Sequence, residues 1–264
     1  MSESIRLEVE GAVATITLHR PERRNALDVE AMRTLRRTLE TVAGDPTVRA
    51  VRITGAGGSF SAGGDVATMD EFRARGELPR LFHDLTGEMA HGIREIVSMP
   101  KPVLATLPGV AAGGGLSLAL ACDWRIASES ALLVPAFSRL GAVPDGGLTY
   151  FLPHYLGIGL AQELFFSDAR VTAGRARELG LVHEVVPASS LEERGRARAL
   201  ELAQGSTEAW AWVKRLVAAS FHQGLDAQLA LERIGAVEAA RGPDLGEGIR
   251  AFSEKRAPRF GPKA

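Results

Sequence analysis

The groups in this chain best suited to chemistry are backbone N–H groups. Two glycine-rich segments, GAGGSFSAGGD at 55–65 and GVAAGGG at 109–115, each follow an apolar run of strand length and lead directly into a helical stretch. Successive glycines let the backbone approach a ligand closely, and the first turn of a helix leaves its N–H groups unpaired. One N–H from each segment can converge on one carbonyl oxygen. Such a pair polarises a thioester and stabilises the enolate left when a proton leaves the adjacent carbon. Tight strand-to-helix turns that bind nothing have the same composition, and glycine-rich loops also cradle phosphates. Neither segment fits a Walker A pattern, nor a G-x-G-x-x-G opening a βαβ unit with an acidic residue downstream, so a nucleotide is the weaker alternative.

Among side chains, Asp145 stands in VPDGG (143–147), just ahead of a helical stretch, where an aspartate most often serves as an N-cap. His83 and His91 share a helix but lack metal-ligand spacing of the H-E-x-x-H kind. Asp70 and Glu71 follow the first glycine segment and read as helix-surface charges. Ser59 and Ser61 have no nucleophile-elbow context, which removes a serine hydrolase. The single cysteine, Cys122, sits in an apolar helix, cannot form an intramolecular disulfide, and reads as a small packing residue.

The elements that position these groups alternate. Residues 7–18 read as a hairpin around Gly11, and Asp28 caps a helix carrying Val29, Met32, Leu35, Leu39 and Val42 at helical spacing. Strands are expected at 48–54, 103–107, 124–127, 131–134 and 181–186. A mostly helical stretch runs over 69–99 with a break near Gly76 and Pro79, and Thr172 caps a short helix at 173–179. Everything after Leu191 reads as helix, with one apolar stripe on Trp210, Val213, Leu216, Val217 and Phe221. A second stripe on Leu245, Ile249 and Phe252 follows an expected capping box at Asp244 and Glu247. This order implies an α/β core over 1–195 and a helical region over 196–264, whose unpartnered stripes suit packing against another subunit.

Composition sets the outer bounds. The chain has 264 residues, 45% hydrophobic and 24% charged, which is ordinary for a globular protein. A net charge of −1 with dispersed Lys and Arg gives no footprint for nucleic acid. No apolar run is long enough to span a bilayer, and MSESIRLEVEGAV lacks a signal-peptide pattern, so a cytoplasmic protein is expected.

Six segments in one order resemble the crotonase superfamily, the enoyl-CoA hydratases and isomerases. They are RPERRNALD (20–28), SFSAGGDV (59–66), PGVAAGGGLSLALACDWRIA (108–127), GAVPDGGLTYFLP (141–153), VTAGRARELGLVHEVVP (171–187) and AFSEKRAPRF (251–260). The resemblance implies a crotonase-like α/β spiral of ββα units with a helical C-terminal trimerisation region, assembled as a homotrimer or a dimer of trimers. It implies an acyl-CoA thioester as substrate and no metal or redox cofactor. By the same resemblance Gly64 and Gly114 supply the oxyanion-hole N–H groups. Arg24, Ala26, Ala62, Gly63 and Asp65 match positions that hold the CoA adenine and pantetheine. Phe252 and Lys255 match C-terminal positions that reach a neighbouring subunit's CoA, Lys255 near a phosphate, although a solvated charge in a basic tail explains Lys255 equally well.

Departures from the family pattern bear on the reaction. The family's hydratases carry one glutamate two residues after the glycine triplet and another four residues before the glycine of the G-x-x-P turn. Here those positions are Ser117 and Phe137. Hydration wants both carboxylates, one to activate water and one to exchange the α-proton. Asp145 remains, at a position where the family's isomerases of phenylacetate degradation also carry aspartate. One carboxylate suffices to move a double bond from Δ3 to Δ2, so the expectation is an isomerase with Asp145 as acid/base. Hydration by a nonstandard base and a noncatalytic acyl-CoA-binding protein are the alternatives.

Overall fold

The computed structural model describes residues 4–261. Strands β1 (Ile5–Glu10) and β2 (Val13–Leu18) form the antiparallel hairpin, turned at Gly11 with φ +58°. Helix α1 (Val29–Gly44) starts where expected: the Asp28 carboxylate accepts the Ala31 N–H at 2.8 Å, and Met32, Leu35, Leu39 and Val42 are buried. After β3 (Ala50–Gly55), the long helical stretch divides at Gly76 (φ +73°) into α2 (Val66–Ala74) and α3 (Leu78–Ser98).

Strand β4 (Val103–Leu107) leads through a two-residue β5 (Ala111–Ala112) into α4 (Gly114–Ala121), every residue of which is buried. A buried helix cannot leave its last carbonyls to water. They are met by Arg125, itself buried, whose guanidinium donates to the carbonyls of Leu120 and Cys122 and also to that of Leu181. Arg125 lies on β6 (Trp124–Ser128), which is followed by β7 (Leu132–Val134). Then come α5 (Leu148–Leu156), α6 (Ile158–Ser167), β8 (Val171–Thr172), α7 (Ala173–Glu178) and β9 (Glu184–Val186).

Two sheets result. The larger has the order β1-β2-β3-β4-β6-β9 and is parallel from β2 onward; the smaller has the order β5-β7-β8. Helices α1 and α3 cover one face of the larger sheet, and α8 (Leu191–Ala203) packs on β3, β4 and β6. The expected boundary at 195/196 falls inside α8, where Gly195 lies against Thr106 and Arg52. Helices α9 (Thr207–Ser220), α10 (Leu225–Arg241) and α11 (Pro243–Ser253) complete the chain. Val213, Val217, Phe221, Ile249 and Phe252 stay exposed on them.

The expected capping box at Asp244 and Glu247 is corrected. The helix starts two residues earlier, at Pro243 with Gly242 in the capping position, because a proline is well placed in a first turn that needs no donor. The Asp244 carboxylate instead accepts the Gly261 N–H. Glu247 holds the Arg256 guanidinium and the Arg259 N–H, fastening the segment after α11. The strand expected over 181–186 is confined to Glu184–Val186, and β5 went unexpected. Among the described residues no helix is long and apolar enough to cross a membrane, and no group of side chains could hold a metal ion.

Candidate active site

The two glycine segments meet. Ala62 donates to the Arg24 carbonyl, Leu27 to the Gly63 carbonyl and Asp65 to the Leu27 carbonyl, so residues 24–27 run beside 62–65 as a bonded pair. Asn25, at φ +57°, reaches across with its side-chain amide to the carbonyls of Ala56 and Ser59 and fixes the outer part of the loop. On the other side Phe60 and Ser61 donate to the Val110 carbonyl, and Ala112 donates to that of Ser61. Gly63 takes φ +86°, and a Cβ there would stand 2.7 Å from the Ala112 carbonyl oxygen. The two segments approach this closely because that position is glycine.

Their free donors then face one space. Gly63 donates to Ser61 Oγ and Gly113 to the Val134 carbonyl, but among the described residues no acceptor engages the N–H of Gly64 or of Gly114. Both glycines line a cavity of about 550 Å³. Helix α3 contributes Phe82, Leu85 and Met89 to its wall, α2 contributes Met69, and the segment after β7 contributes Phe137, Leu140 and Ala142. The lining is therefore mostly apolar around a pair of unpaired donors, an arrangement that stabilises a developing negative charge.

Three carboxylates line this cavity: Asp70, Asp145 and Asp168. Asp70 pairs with Arg73 in solvent. Asp168, 5% exposed and at φ +47°, accepts the N–H groups of Phe137 and Arg139 and so shapes the wall. Asp145 is different. The helix after it is capped by Gly147 with no side-chain bond, so Asp145 is not the N-cap that its sequence position favours. Its Oδ1 lies 3.8 Å from where a Cβ on Gly114 would stand, and among the described residues no group donates to its carboxylate. Burial without a counter-charge pushes its carboxyl up to about 6.

The remaining expected residues fall into three groups. Ala62 lines the cavity, while Arg24, at φ +51°, and buried Ala26 lie on the strip bonded beside it. Asp65 has its carboxylate occupied: it caps α2 through the N–H groups of Ala67 and Thr68 and binds Arg20 and Arg23 at 2.9 Å. Phe252 is 88% exposed and, like Lys255 after it, does not line the cavity of its own chain. His83, His91 and Glu71 lie outside the cavity lining as well, and His91 bonds the Gly87 carbonyl on its own helix. At the two positions where the family's hydratases carry glutamate, Phe137 presents its ring and Ser117 is fully buried. The cross-loop roles of Asn25 and Asp168 carry no sequence signal, because the Asn25 amide donates to carbonyls 31 and 34 residues away and the Asp168 carboxylate accepts N–H groups 31 and 29 residues away.

Comparison with known proteins supplies the family. The family model described as enoyl-CoA hydratase/isomerase matches residues 8–263. A probable enoyl-CoA hydratase of Rhodobacter capsulatus is 38% identical over 257 residues, 97% of each chain. A 1,2-epoxyphenylacetyl-CoA isomerase of Escherichia coli is 37% identical over 260 residues, 98% of this chain and 99% of that one. The crystal structure of an enoyl-CoA hydratase from a Polaromonas species superposes with a TM-score of 0.93 at 36% identity, covering 98% of this chain and all of the other. A fold shared at that level, a match along nearly the whole sequence and a pair of unpaired glycine donors lead to one conclusion: this chain belongs to the enoyl-CoA hydratase/isomerase family, within the crotonase superfamily.

Proposed function

We propose that this protein moves the double bond of an enoyl-CoA from Δ3 to Δ2, with Asp145 as the single acid/base. The thioester oxygen accepts the N–H groups of Gly64 and Gly114. The Asp145 carboxylate takes a proton from C2, leaving a dienolate whose charge rests on that oxygen. The same carboxyl then returns the proton to C4, and the double bond ends between C2 and C3. Proton transfer of this kind needs a base and an oxyanion hole, not a metal or redox cofactor.

The observation that carries this reading is Asp145 itself, the one carboxylate lining the cavity with neither a hydrogen-bond donor nor a cation as partner among the described residues. A carboxyl near 6 exchanges protons with little penalty in either direction near neutral pH. The apolar wall suits an apolar acyl group, and the Escherichia coli relative carries an isomerase name on a CoA thioester. The segments 24–27 and 62–65 would hold the CoA, with Arg24, Ala26, Ala62, Gly63 and the backbone of Asp65 along its path. Phe252 and Lys255 would reach the CoA of a neighbouring subunit in a trimer, or a dimer of trimers, built on the exposed apolar faces of α9–α11.

Hydration of a 2-enoyl-CoA is the second reading, favoured by the hydratase names of several relatives. Incubating a 3-enoyl-CoA and crotonyl-CoA separately and following absorbance of the conjugated thioester distinguishes them. A rise with the first supports isomerisation, and a fall with the second supports hydration. Asp145→Asn should abolish the rise while leaving thioester binding nearly unchanged; full activity in that variant ends the proposal.

A further inference from the structure

The Ser117 side chain is not idle filler at the position of the missing glutamate. Its Oγ donates to the main-chain carbonyl of Asp145 at 2.8 Å, and the same carbonyl accepts the Leu148 N–H at 3.1 Å. The turn that follows is pressed onto it. Gly146 takes φ +59°, and a Cβ there would stand 2.7 Å from Ser117 Cβ, 3.1 Å from its Oγ and 3.1 Å from Met89 Cγ. Met89 in turn touches the start of α4, its Cε 2.7 Å from where a Cβ on Gly114 would be. The Asp145 turn therefore rests on a seat made by Ser117 and Met89, tied down by one part-buried side-chain hydrogen bond.

We propose that Ser117 is a positioning residue for Asp145: its hydroxyl anchors the 145–147 turn, and its small size leaves the space in which that turn lies. A glutamate at 117 would need the volume that Gly146 and the Asp145 carbonyl occupy. The two carboxylate placements, one on α4 and one on the P-D-G turn, therefore exclude each other in this chain. The inference deepens the reading of Asp145 as acid/base and rests on it.

Loss of the anchor frees the turn from its seat and admits water to the carboxylate, which lowers the carboxyl toward its ordinary range. The other charged groups lining the cavity are Asp70 and Arg73 on α2 and Arg139, Asp168 and Arg170 on the opposite wall, and none of them is altered by the substitution.

The test uses the full-length chain with Ser117→Ala, Ser117→Cys and Ser117→Glu. Two quantities are followed against pH: kcat and KM on a 3-enoyl-CoA, and the Asp145 carboxyl by carbon NMR of aspartate-labelled protein, assigned with Asp145→Asn. Ser117→Ala should lower kcat about tenfold at most, the upper worth of one such hydrogen bond, with KM within about twofold. Its Asp145 carboxyl should titrate below that of the parent, and Ser117→Cys should fall between. Ser117→Glu should neither isomerise a 3-enoyl-CoA nor hydrate crotonyl-CoA. Ser117→Ala with parental kcat and parental titration overturns the proposal, as does a loss of rate that follows thermal stability alone while the titration stays put. Hydration by Ser117→Glu with the Asp145 titration unchanged overturns the claim of exclusion. Should the parent fail to isomerise any 3-enoyl-CoA, the functional reading falls, and the NMR titration still decides whether Ser117 positions Asp145.

Discussion

Asp65 and Asp145 occupy similar places in the chain, each just ahead of a helix and beside the same pair of glycine N–H groups, yet they have become different chemical objects. Burial pushes both carboxyls up. At Asp65 the Thr68 N–H and the guanidinium groups of Arg20 and Arg23 outweigh it, and the carboxyl ends below the ordinary carboxylate range. At Asp145 nothing offsets it. A carboxylate surrounded by donors is a fastener, here closing the first glycine loop onto α2 and the arginine-rich turn. A carboxylate held against an apolar wall without partners is left free to exchange a proton. Residue type and helix proximity are shared, so the difference lies in what the rest of the fold brings to each.

That contrast can be broken from either side. The largest effect is expected from Asp145→Asn, which should cut turnover of a 3-enoyl-CoA about a thousandfold while thioester affinity stays level, read by steady-state kinetics and calorimetric binding. Asp65→Ala should act on stability instead: it removes the α2 cap and the carboxylate partner of half-exposed Arg23, while Arg20 keeps Asp28, costing about 2 kcal/mol in urea denaturation.

A smaller effect concerns pH. If Asp145 is the base of the proposed isomerisation, it must be ionised to take the C2 proton, and kcat should fall roughly tenfold per unit below the carboxyl's value of about 6 and stay level above it. A profile whose acidic limb sits near 4 would place the working base elsewhere.

The smallest effect concerns stability at Asp145 itself. Its folded carboxyl, near 6, lies above the unfolded one, so the folded state binds the proton more tightly and stability is lost as pH rises between the two values. Asp145→Asn should therefore be more stable than the parent by about 1–2 kcal/mol at pH 8, allowing for partial solvent access, with no gain at pH 4. Chemical denaturation at the two pH values measures this, and an equal effect at both would mean that the carboxylate has a partner after all.

Much of this arrangement was legible in the amino-acid order. The caps at Asp28 and Thr172, the hairpin at Gly11 and the break at Gly76 are local, set by a side chain reaching its own backbone or by a left-handed turn that favours glycine. Asp244 and Glu247 show the limit of that logic. Their spacing satisfies the capping-box pattern, but the segment at 256–261 folds back and claims both carboxylates, so the helix begins at Pro243. Strand β5 has only two residues and exists through its pairing with β7, twenty-two positions further on, which no local pattern announces.

The sequence by itself singled out two glycine segments whose N–H groups could converge, with a tight turn that binds nothing as the alternative, and the resemblance pointed to Gly64, Gly114 and the absence of both hydratase glutamates. Only the tertiary structure decided which aspartate is free. Asp145 looked like a cap because the residues around it read as a helix start. It is left unpaired because Gly147 takes the capping position and Ser117, twenty-eight residues earlier, holds its carbonyl while the carboxylate faces Gly114. Local order writes the donors into the backbone. The state of a carboxylate depends on which charges and apolar groups the fold assembles around it, and those come from α2, α3, α4 and the wall after β7 together.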